Sequence, residues 1–343
     1  MSRIDVDYIN TKLIEKEDAP FKLSDLEYPE IITNGSYLLD SNGKPIGTKG
    51  DMYAKTIMDK ILREGCYDEN PRPVYETDGK KANTLSLNNK VLFQYDLSKG
   101  ESPMITLRPI AVKKSIGEIL WIYQDASTDL NLLKNKYGIT WWDAWDLKDS
   151  EGNPLRDIGS AYGNTVADYD QMKNLIIGLK VEPDGRRHIL DLWQLEEFKK
   201  PHGLKPCAYQ SVWNVRHGRD GVDYLDMKLI QRSSDFMVAG CINQMQYVAL
   251  MQMVAQATNY TPGVFTWDVE NIQIYDRHIK QAIEQLNREP INCVDGEHKE
   301  PYLELNPDIK DFYDFTLDDI KVKNYPRELI KVKNKQQTFD KGI

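Results

Sequence analysis

Two alternating runs joined by a turn constrain the fold of this chain more than any other stretch. The first is Lys205-Pro206-Cys207-Ala208-Tyr209-Gln210-Ser211-Val212-Trp213, and the second ends in Gln231-Arg232-Ser233-Ser234-Asp235. Between them lies His217-Gly218-Arg219-Asp220-Gly221, a cluster of turn formers with glycine available for positive φ. Both flanks alternate and are rich in Val, Tyr, Trp, Leu and Ile, so each reads as a strand. If Gly218 and Gly221 face each other across the turn, Cys207 falls opposite Arg232. A slip of one or two residues still leaves a thiol beside a guanidinium. A neighbouring cation lowers a cysteine pKa and favours the thiolate, the nucleophilic form.

Composition limits the setting of that pair. The chain has 343 residues, 41% hydrophobic and 28% charged, long enough to bury a core without a disulfide scaffold. Cys66, Cys207, Cys241 and Cys293 are scattered, with no CxxC spacing and no histidine at zinc-site distance, which points to no metal and to a reducing, cytoplasmic setting. No apolar run approaches the roughly 20 residues of a membrane span, and the N-terminus lacks a signal pattern. A net charge of −9 argues against a general nucleic-acid binder.

Residues 1–50 are polar and rich in turn signals, a small added lobe or an ordered extension of unreadable role. From residue 51 to 343 no linker or repeat divides the chain. Helical spacing predicts helices over Tyr53–Glu64, Lys114–Gln124, Asn243–Thr258 and His278–Arg288, and strands from Thr84, over His188–Trp193 and over Val264–Tyr275. Glu118 lies among Ile116, Ile119 and Leu120, on the buried side of its helix. It is either an ordinary exposed glutamate or a half-buried carboxylate whose raised pKa suits proton transfer. Trp141, Trp142 and Trp145 are core aromatics or a stacking platform. Arg186-Arg187, after the turn Pro183-Asp184-Gly185, is a solvated turn or a phosphate clamp. Asn243 could be a helix N-cap, and the lysine-rich segment from Lys321 to Ile343 reads as a solvated tail.

Several blocks carry a more specific message when taken in order: Thr84-Leu85-Ser86, Glu118-Ile119-Leu120-Trp121, Trp142-Asp143-Ala144-Trp145, Ala161-Tyr162-Gly163, Arg186-Arg187-His188, Pro206-Cys207, Gln231 to Asp235, Asn243 and Ile274-Tyr275. Over roughly residues 53–325 the chain resembles the thymidylate synthase family, the folate-dependent enzymes with a cysteine nucleophile. The resemblance implies a single α/β (α+β) domain with a large mixed β-sheet flanked by helices, paired sheet to sheet in a homodimer. It implies reductive methylation of dUMP to dTMP, with 5,10-methylenetetrahydrofolate giving carbon and hydride.

Residue by residue, the resemblance implies that Cys207 adds to C6 of the pyrimidine, Glu118 moves protons at the base and Tyr162 assists loss of the C5 proton. Arg232 favours the thiolate and holds the phosphate together with Arg72 and Ser233, while Arg186 and Arg187 come from the other subunit. Gln231 belongs to the same substrate-binding block. Asn243 reads the uracil edge, because an amide both donates and accepts. Tyr275 and Gln273 meet the ribose. For the folate, the match points to Trp142, Trp145, Leu204, Asp235, Arg108 and the terminal Ile343.

The chain departs from the family pattern at Ala208, where histidine is usual, at Ser234 for cysteine, at Gln273 for histidine, and at Ala239-Gly240-Cys241-Ile242. A pyrimidine-nucleotide hydroxymethylase would use the same covalent activation, and a catalytically silent nucleotide- or RNA-binding relative is the alternative of another class. Asn243 favours uracil over cytosine and Trp142 favours methylation, since the methylene intermediate must be kept from water. Retention of Cys207 with Glu118 and Tyr162 speaks against a pure binder.

Overall fold

A computed structural model describes residues 5–291, 300–326, 329 and 337–343. Cys293 and part of the lysine-rich segment lie outside those residues.

In chain order the helices are α1 (Val6–Glu15), α2 (Lys49–Glu64), α3 (Val112–Tyr123), α4 (Leu130–Tyr137), α5 (Gly163–Asp168), α6 (Gln171–Val181), α7 (Cys241–Thr258) and α8 (Ile279–Asn287). The strands are β1 (Leu38–Leu39), β2 (Pro45–Ile46), β3 (Cys66–Tyr67), β4 (Thr84–Asp96), β5 (Ile189–Asp191), β6 (Ala208–His217), β7 (Asp223–Gln231), β8 (Ser234–Asp235), β9 (Thr261–Tyr275), β10 (Tyr302–Leu305) and β11 (Ile320–Lys323). The main sheet runs β3-β4-β9-β7-β6-β5, with β8 alongside β9. It is mixed: β7 and β8 run parallel to β9, and the other neighbours are antiparallel. The parallel β7–β9 pair requires a crossover, which α7 supplies. That helix is apolar all round because the sheet and α3 bury it, and the methionine stripe Met245, Met251 and Met253 is fully buried core.

One face of the sheet is dry. Leu225, Met227, Leu229, Phe265, Trp267 and Val269 point into the core. Asp226, Lys228, Ile230, Val264 and Asp268 alternate onto the opposite face and are half-buried, with Lys228 paired to Asp268 across β7 and β9.

The hairpin of β6 and β7 places Cys207 against Arg232 by a route the turn alone does not reveal. Its register runs His217↔Asp223 to Gln210↔Ile230, one residue out from a Gly218–Gly221 pairing. A bulge at Tyr209 then absorbs one residue, giving Ala208↔Gln231. The Arg232 N–H donates to the Cys207 carbonyl at 2.9 Å.

Helix α2 begins earlier than its apolar spacing suggests. Thr48 and Asp51 form a capping box, each side chain accepting the other's backbone N–H at 3.0 Å, a signal present in the sequence as T-x-x-D. Asn243 is not a cap. The chain turns through Phe236–Gly240, capped by Asp235, directly into α7, so Asn243 lies inside the first turn and its side chain is released for other work. Of the strand expected over His188–Trp193, only Ile189–Asp191 pairs.

Both ends of the chain are seated on this body. Val6, Ile9 and Leu13 of α1 belong to the main hydrophobic core, and Tyr37 donates to the buried carboxylate of Glu300 at 2.7 Å. At the other end, the Val74 N–H donates to the Ile343 carbonyl at 3.1 Å and the Ile343 N–H to Val74 at 2.9 Å. The Glu76 N–H donates to the Lys341 carbonyl at 2.9 Å. Residues 337–343 are therefore docked, in contrast to the solvated tail their composition suggests.

Because Leu13 is 2% exposed within the common core, Leu13→Ala should cost roughly 2–5 kcal/mol in a single cooperative unfolding transition. Urea unfolding checks this; a loss under about 0.5 kcal/mol, the range of ordinary surface changes, would show that α1 contributes nothing to the core.

Candidate active site

Cys207 stands at the N-terminal end of β6, where two adjoining cavities meet. One, of about 340 Å³, is lined mainly by apolar groups, among them Ile119, Ile122, Trp142, Trp145 and Leu204, together with Glu118. The other, of about 520 Å³, is lined by Arg72, Arg232, Ser233, Asp235, Gln273 and Tyr275. Cys207, Asn243, Trp145 and Leu204 border both. A flat ring in the first cavity and a polar, anionic molecule in the second would meet at the sulfur.

Arg232 is held before it meets any ligand. Its Nε donates to the Pro206 carbonyl at 2.9 Å and Nη2 to the Lys205 carbonyl at 2.8 Å, which leaves Nη2 3.5 Å from the Cys207 sulfur. Burial pushes the thiol pKa up, and the charges of Arg232 and Arg72 pull it down; burial wins. The simple expectation of a lowered pKa is thus reversed: the guanidiniums stabilise the thiolate, but the dry wall of the cleft penalises it more.

Glu118 is 8% exposed. Burial raises its pKa to about 7, outweighing the hydrogen bonds it accepts from Trp141 and Gln246. Of the two readings of this residue, the buried carboxylate is the one found.

Tyr162 accepts the Cys207 N–H on its phenolic oxygen at 3.0 Å and packs edge-on against Trp142, ring centroids 5.0 Å apart. Its backbone has φ +49° and ψ −105°, unusual for a bulky residue. The neighbouring Gly163 explains the close fit, since a Cβ there would sit 2.1 Å from the Ser127 carbonyl oxygen. Helix α5 can dock only with glycine at that point, and docking sets Tyr162 against the sulfur's backbone.

The orientation of the Asn243 amide follows from a chain of bonds with one possible polarity. The Trp267 indole N–H, a donor only, gives to Gln231 Oε1 at 2.9 Å. Gln231 Nε2 must then donate, and does so to the Ser233 carbonyl at 2.9 Å and to Asn243 Oδ1 at 3.0 Å. Asn243 Nδ2 in turn donates to Gln246 Oε1 at 2.9 Å. Gln231 is 1% exposed, lies in the wall of the polar cavity and aims Asn243. Gln246 escaped the sequence reading, although it follows Asn243 by three residues on the same helix face.

The remaining predicted residues divide by location. Arg72, Arg232, Ser233, Asp235, Gln273, Tyr275, Trp142, Trp145 and Leu204 line the cleft. Arg108 does not; it is 7% exposed, donates to the Met237 carbonyl at 2.7 Å and lies over the Phe339 ring. Ile343 is engaged with Val74, and the tail instead presents Phe339 and Lys341 to the cleft. No local pattern could have found those two. Arg186 and Arg187 are exposed on the turn after α6 and line neither cavity; Arg187 makes only a 3.4 Å ion pair with Glu182, itself exposed. Among the described residues no cluster of three potential metal ligands occurs, and no helix is long and apolar enough to cross a membrane.

Residues 52–335 match the family model described as thymidylate synthase. Thymidylate synthases of Streptococcus pneumoniae and Lactococcus lactis subsp. cremoris are each 42% identical to the chain over 279 residues, 81% of this chain and 95% of theirs. The solved structure of thermostable thymidylate synthase A from Bacillus subtilis superposes with a TM-score of 0.71 at 32% identity, covering 85% of this chain and 99% of that one.

The pKa of Glu118 predicts a trade of stability for reactivity. Its folded value lies above the ordinary 4.5, so the folded state holds the proton more tightly, and the penalty appears as pH rises from 4.5 through 7. Glu118→Gln should unfold at higher urea than the parent at pH 8, by at most about 3 kcal/mol, with no gain at pH 4, while turnover falls at least about a hundredfold. An equal effect on stability at both pH values would refute the shifted carboxylate.

Proposed function

The chain belongs to the thymidylate synthase family, and on that premise we propose how its own residues carry out reductive methylation of dUMP to dTMP. The observation that carries the assignment is the position of Cys207 between a cationic cavity and an indole-lined one whose lining includes a buried carboxylate with its pKa raised to about 7.

The nucleotide fits the polar cavity. Arg232, Arg72 and Ser233 hold the phosphate, and Tyr275 and Gln273 on β9 bind the ribose. Asn243 meets the pyrimidine edge with Nδ2 toward O4 and Oδ1 toward N3–H. The fixed polarity running back to Trp267 opposes the flip that cytosine would need, because a reversed amide would face Gln231 Nε2 with a donor. The apolar cavity suits the reduced folate: Trp142, Trp145 and Leu204 offer flat faces to a pterin, and the buried Asp235 carboxylate can accept its ring N–H groups. When bound, 5,10-methylenetetrahydrofolate supplies the one-carbon unit and the hydride.

Uracil C5 is a poor nucleophile, and Cys207 changes that. As the Sγ–C6 bond forms, the C5–C6 electron pair moves to C5 and O4, making C5 enolate-like. Asn243 Nδ2 donates to the oxygen where that charge develops. Burial raises the thiol pKa in the free cleft, so the S–H proton passes to solvent water as Sγ adds to C6. Arg232 at 3.5 Å stabilises the anion once the nucleotide and ring have displaced water. Glu118, poised near neutrality, exchanges protons at the base, and Tyr162 assists removal of the C5 proton after the carbon is transferred. Trp142 keeps water from the methylene carbon, so reduction wins over hydration.

Arg186 and Arg187 line neither of the two cavities at Cys207 of their own chain. They serve the phosphate of a second copy, which packs against the half-buried face of the sheet, where Lys228, Ile230 and Val264 lie. The partners are therefore dUMP, the reduced folate and a second copy of the chain.

With dUMP and methylenetetrahydrofolate the protein should form dTMP and dihydrofolate in equal amounts, followed by absorbance and nucleotide analysis. Hydroxymethyl-dUMP without dihydrofolate would make it a hydroxymethylase. Cys207→Ala should abolish turnover while dUMP still binds through its arginines. Mixed with Arg187→Ala subunits, it should regain part of the activity, because one site of the hybrid keeps both groups; properly formed hybrids with no activity would place Arg187 outside the site.

A further inference from the structure

Arg277, at the junction of β9 and α8, spends all its hydrogen-bonding capacity on three carboxylates from three distant parts of the chain. A guanidinium has five N–H donors, and five bonds are made. Nε and Nη2 hold Asp18 at 3.0 Å each, Nη1 and Nη2 hold Asp78 at 3.3 and 2.7 Å, and Nη1 reaches Asp340 at 2.9 Å. The guanidinium carbon sits 4.0 Å from the centroid of the Tyr75 ring. Arg277, Asp18 and Asp340 are largely covered, their side chains 16–18% exposed. Contacts of this kind are stronger than exposed ion pairs, and removing one partner leaves covered charge behind.

The three carboxylates have different origins. Asp78 lies on the loop after Arg72, inside the stretch matched by the family model. Asp18 precedes that stretch and Asp340 follows it. The two ends of the chain, each outside the matched region, thus meet on one side chain. The N-terminal side is further secured, since Lys16 pairs with the buried Asp276, whose carboxylate also accepts the Tyr67 hydroxyl at 3.1 Å. On the C-terminal side, Asp340 sits between Phe339 and Lys341, the residues that line the cleft, and it also accepts the Thr77 hydroxyl.

We infer that Arg277 is a positioning residue for the C-terminal segment, and that the N-terminal extension serves the active site by holding this arginine through Asp18. Without Asp18, the guanidinium has two donors unspent and a wider choice of directions, so Asp340 loses a fixed partner. Phe339 then leaves the apolar cavity and Lys341 its mouth, and the ring in that cavity is covered less well. The inference rests on the assignment of that cavity to the folate only for its kinetic consequence.

Hydrogen exchange of residues 337–343, read by mass spectrometry without ligands, tests the structural part. Arg277→Ala should speed exchange at least tenfold, Asp18→Asn at least threefold, and Arg277→Lys should fall between Arg277→Ala and the parent. The Asp18→Asn, Asp340→Asn double variant should exchange no faster than Asp340→Asn alone. Asp18→Asn should also raise KM for methylenetetrahydrofolate at least threefold with kcat changed by less than twofold, a split that general destabilisation would not produce. Unchanged exchange in Asp18→Asn, or additive effects in the double variant, would overturn the inference. Because exchange is read on the free protein, failure to form dTMP would bear on the reaction and leave this result standing.

Discussion

The site depends first on the bond between the Arg232 N–H and the Cys207 carbonyl, because that bond fixes which residues of β6 and β7 stand together. Side chains on a strand alternate, so a shift of one residue would turn the thiol or the guanidinium to the other face of the sheet. The bulge at Tyr209 sets this register. It places Cys207 at the lip of the cleft while Gln231, one residue back on the neighbouring strand, faces the core and meets Trp267. One local irregularity thereby aims the sulfur, the guanidinium and, through Gln231, the Asn243 amide.

Burial then decides how these groups behave. A dry cleft raises both acids within it, the Cys207 thiol and the Glu118 carboxyl. The effects serve different ends. For Glu118 the shift brings the pKa to the pH at which a group can both give and take a proton. For Cys207 it raises the thiol pKa against the pull of Arg232 and Arg72. In the reaction proposed above, the same exclusion of water would keep the one-carbon unit from hydration, so acid–base tuning and product choice would share one cause.

Much of the site was legible because its chemistry is carried by residue types in local patterns. Cys207 and Arg232 follow from two alternating strands and a turn, and Glu118 from its place among apolar residues at helical spacing. Trp142, Trp145 and Asn243 stand in short motifs whose order matches a family. What escaped had no local signal or a misleading one. The positive φ of Tyr162 sits where α5 meets Ser127, at a close approach that Gly163 permits. Asn243 looked like a cap because the helical turn ahead of it contains glycine. Arg108 is drawn inward to Met237, and the lysine-rich terminus looked solvated although its last residues pair with Val74 and Glu76.

The amino-acid sequence by itself determined the family, the meeting of Cys207 with Arg232 and the place of Glu118 on the buried side of its helix, since each depends on side-chain identity and short-range periodicity. Tertiary structure alone decided the sign of the thiol's pKa shift, the polarity of the Trp267–Gln231–Asn243 chain, and the meeting of Asp18 with Asp340 on Arg277. The reason is physical. Desolvation and hydrogen-bond direction depend on what surrounds a group in space, and those neighbours lie from 12 to 259 residues apart along the chain.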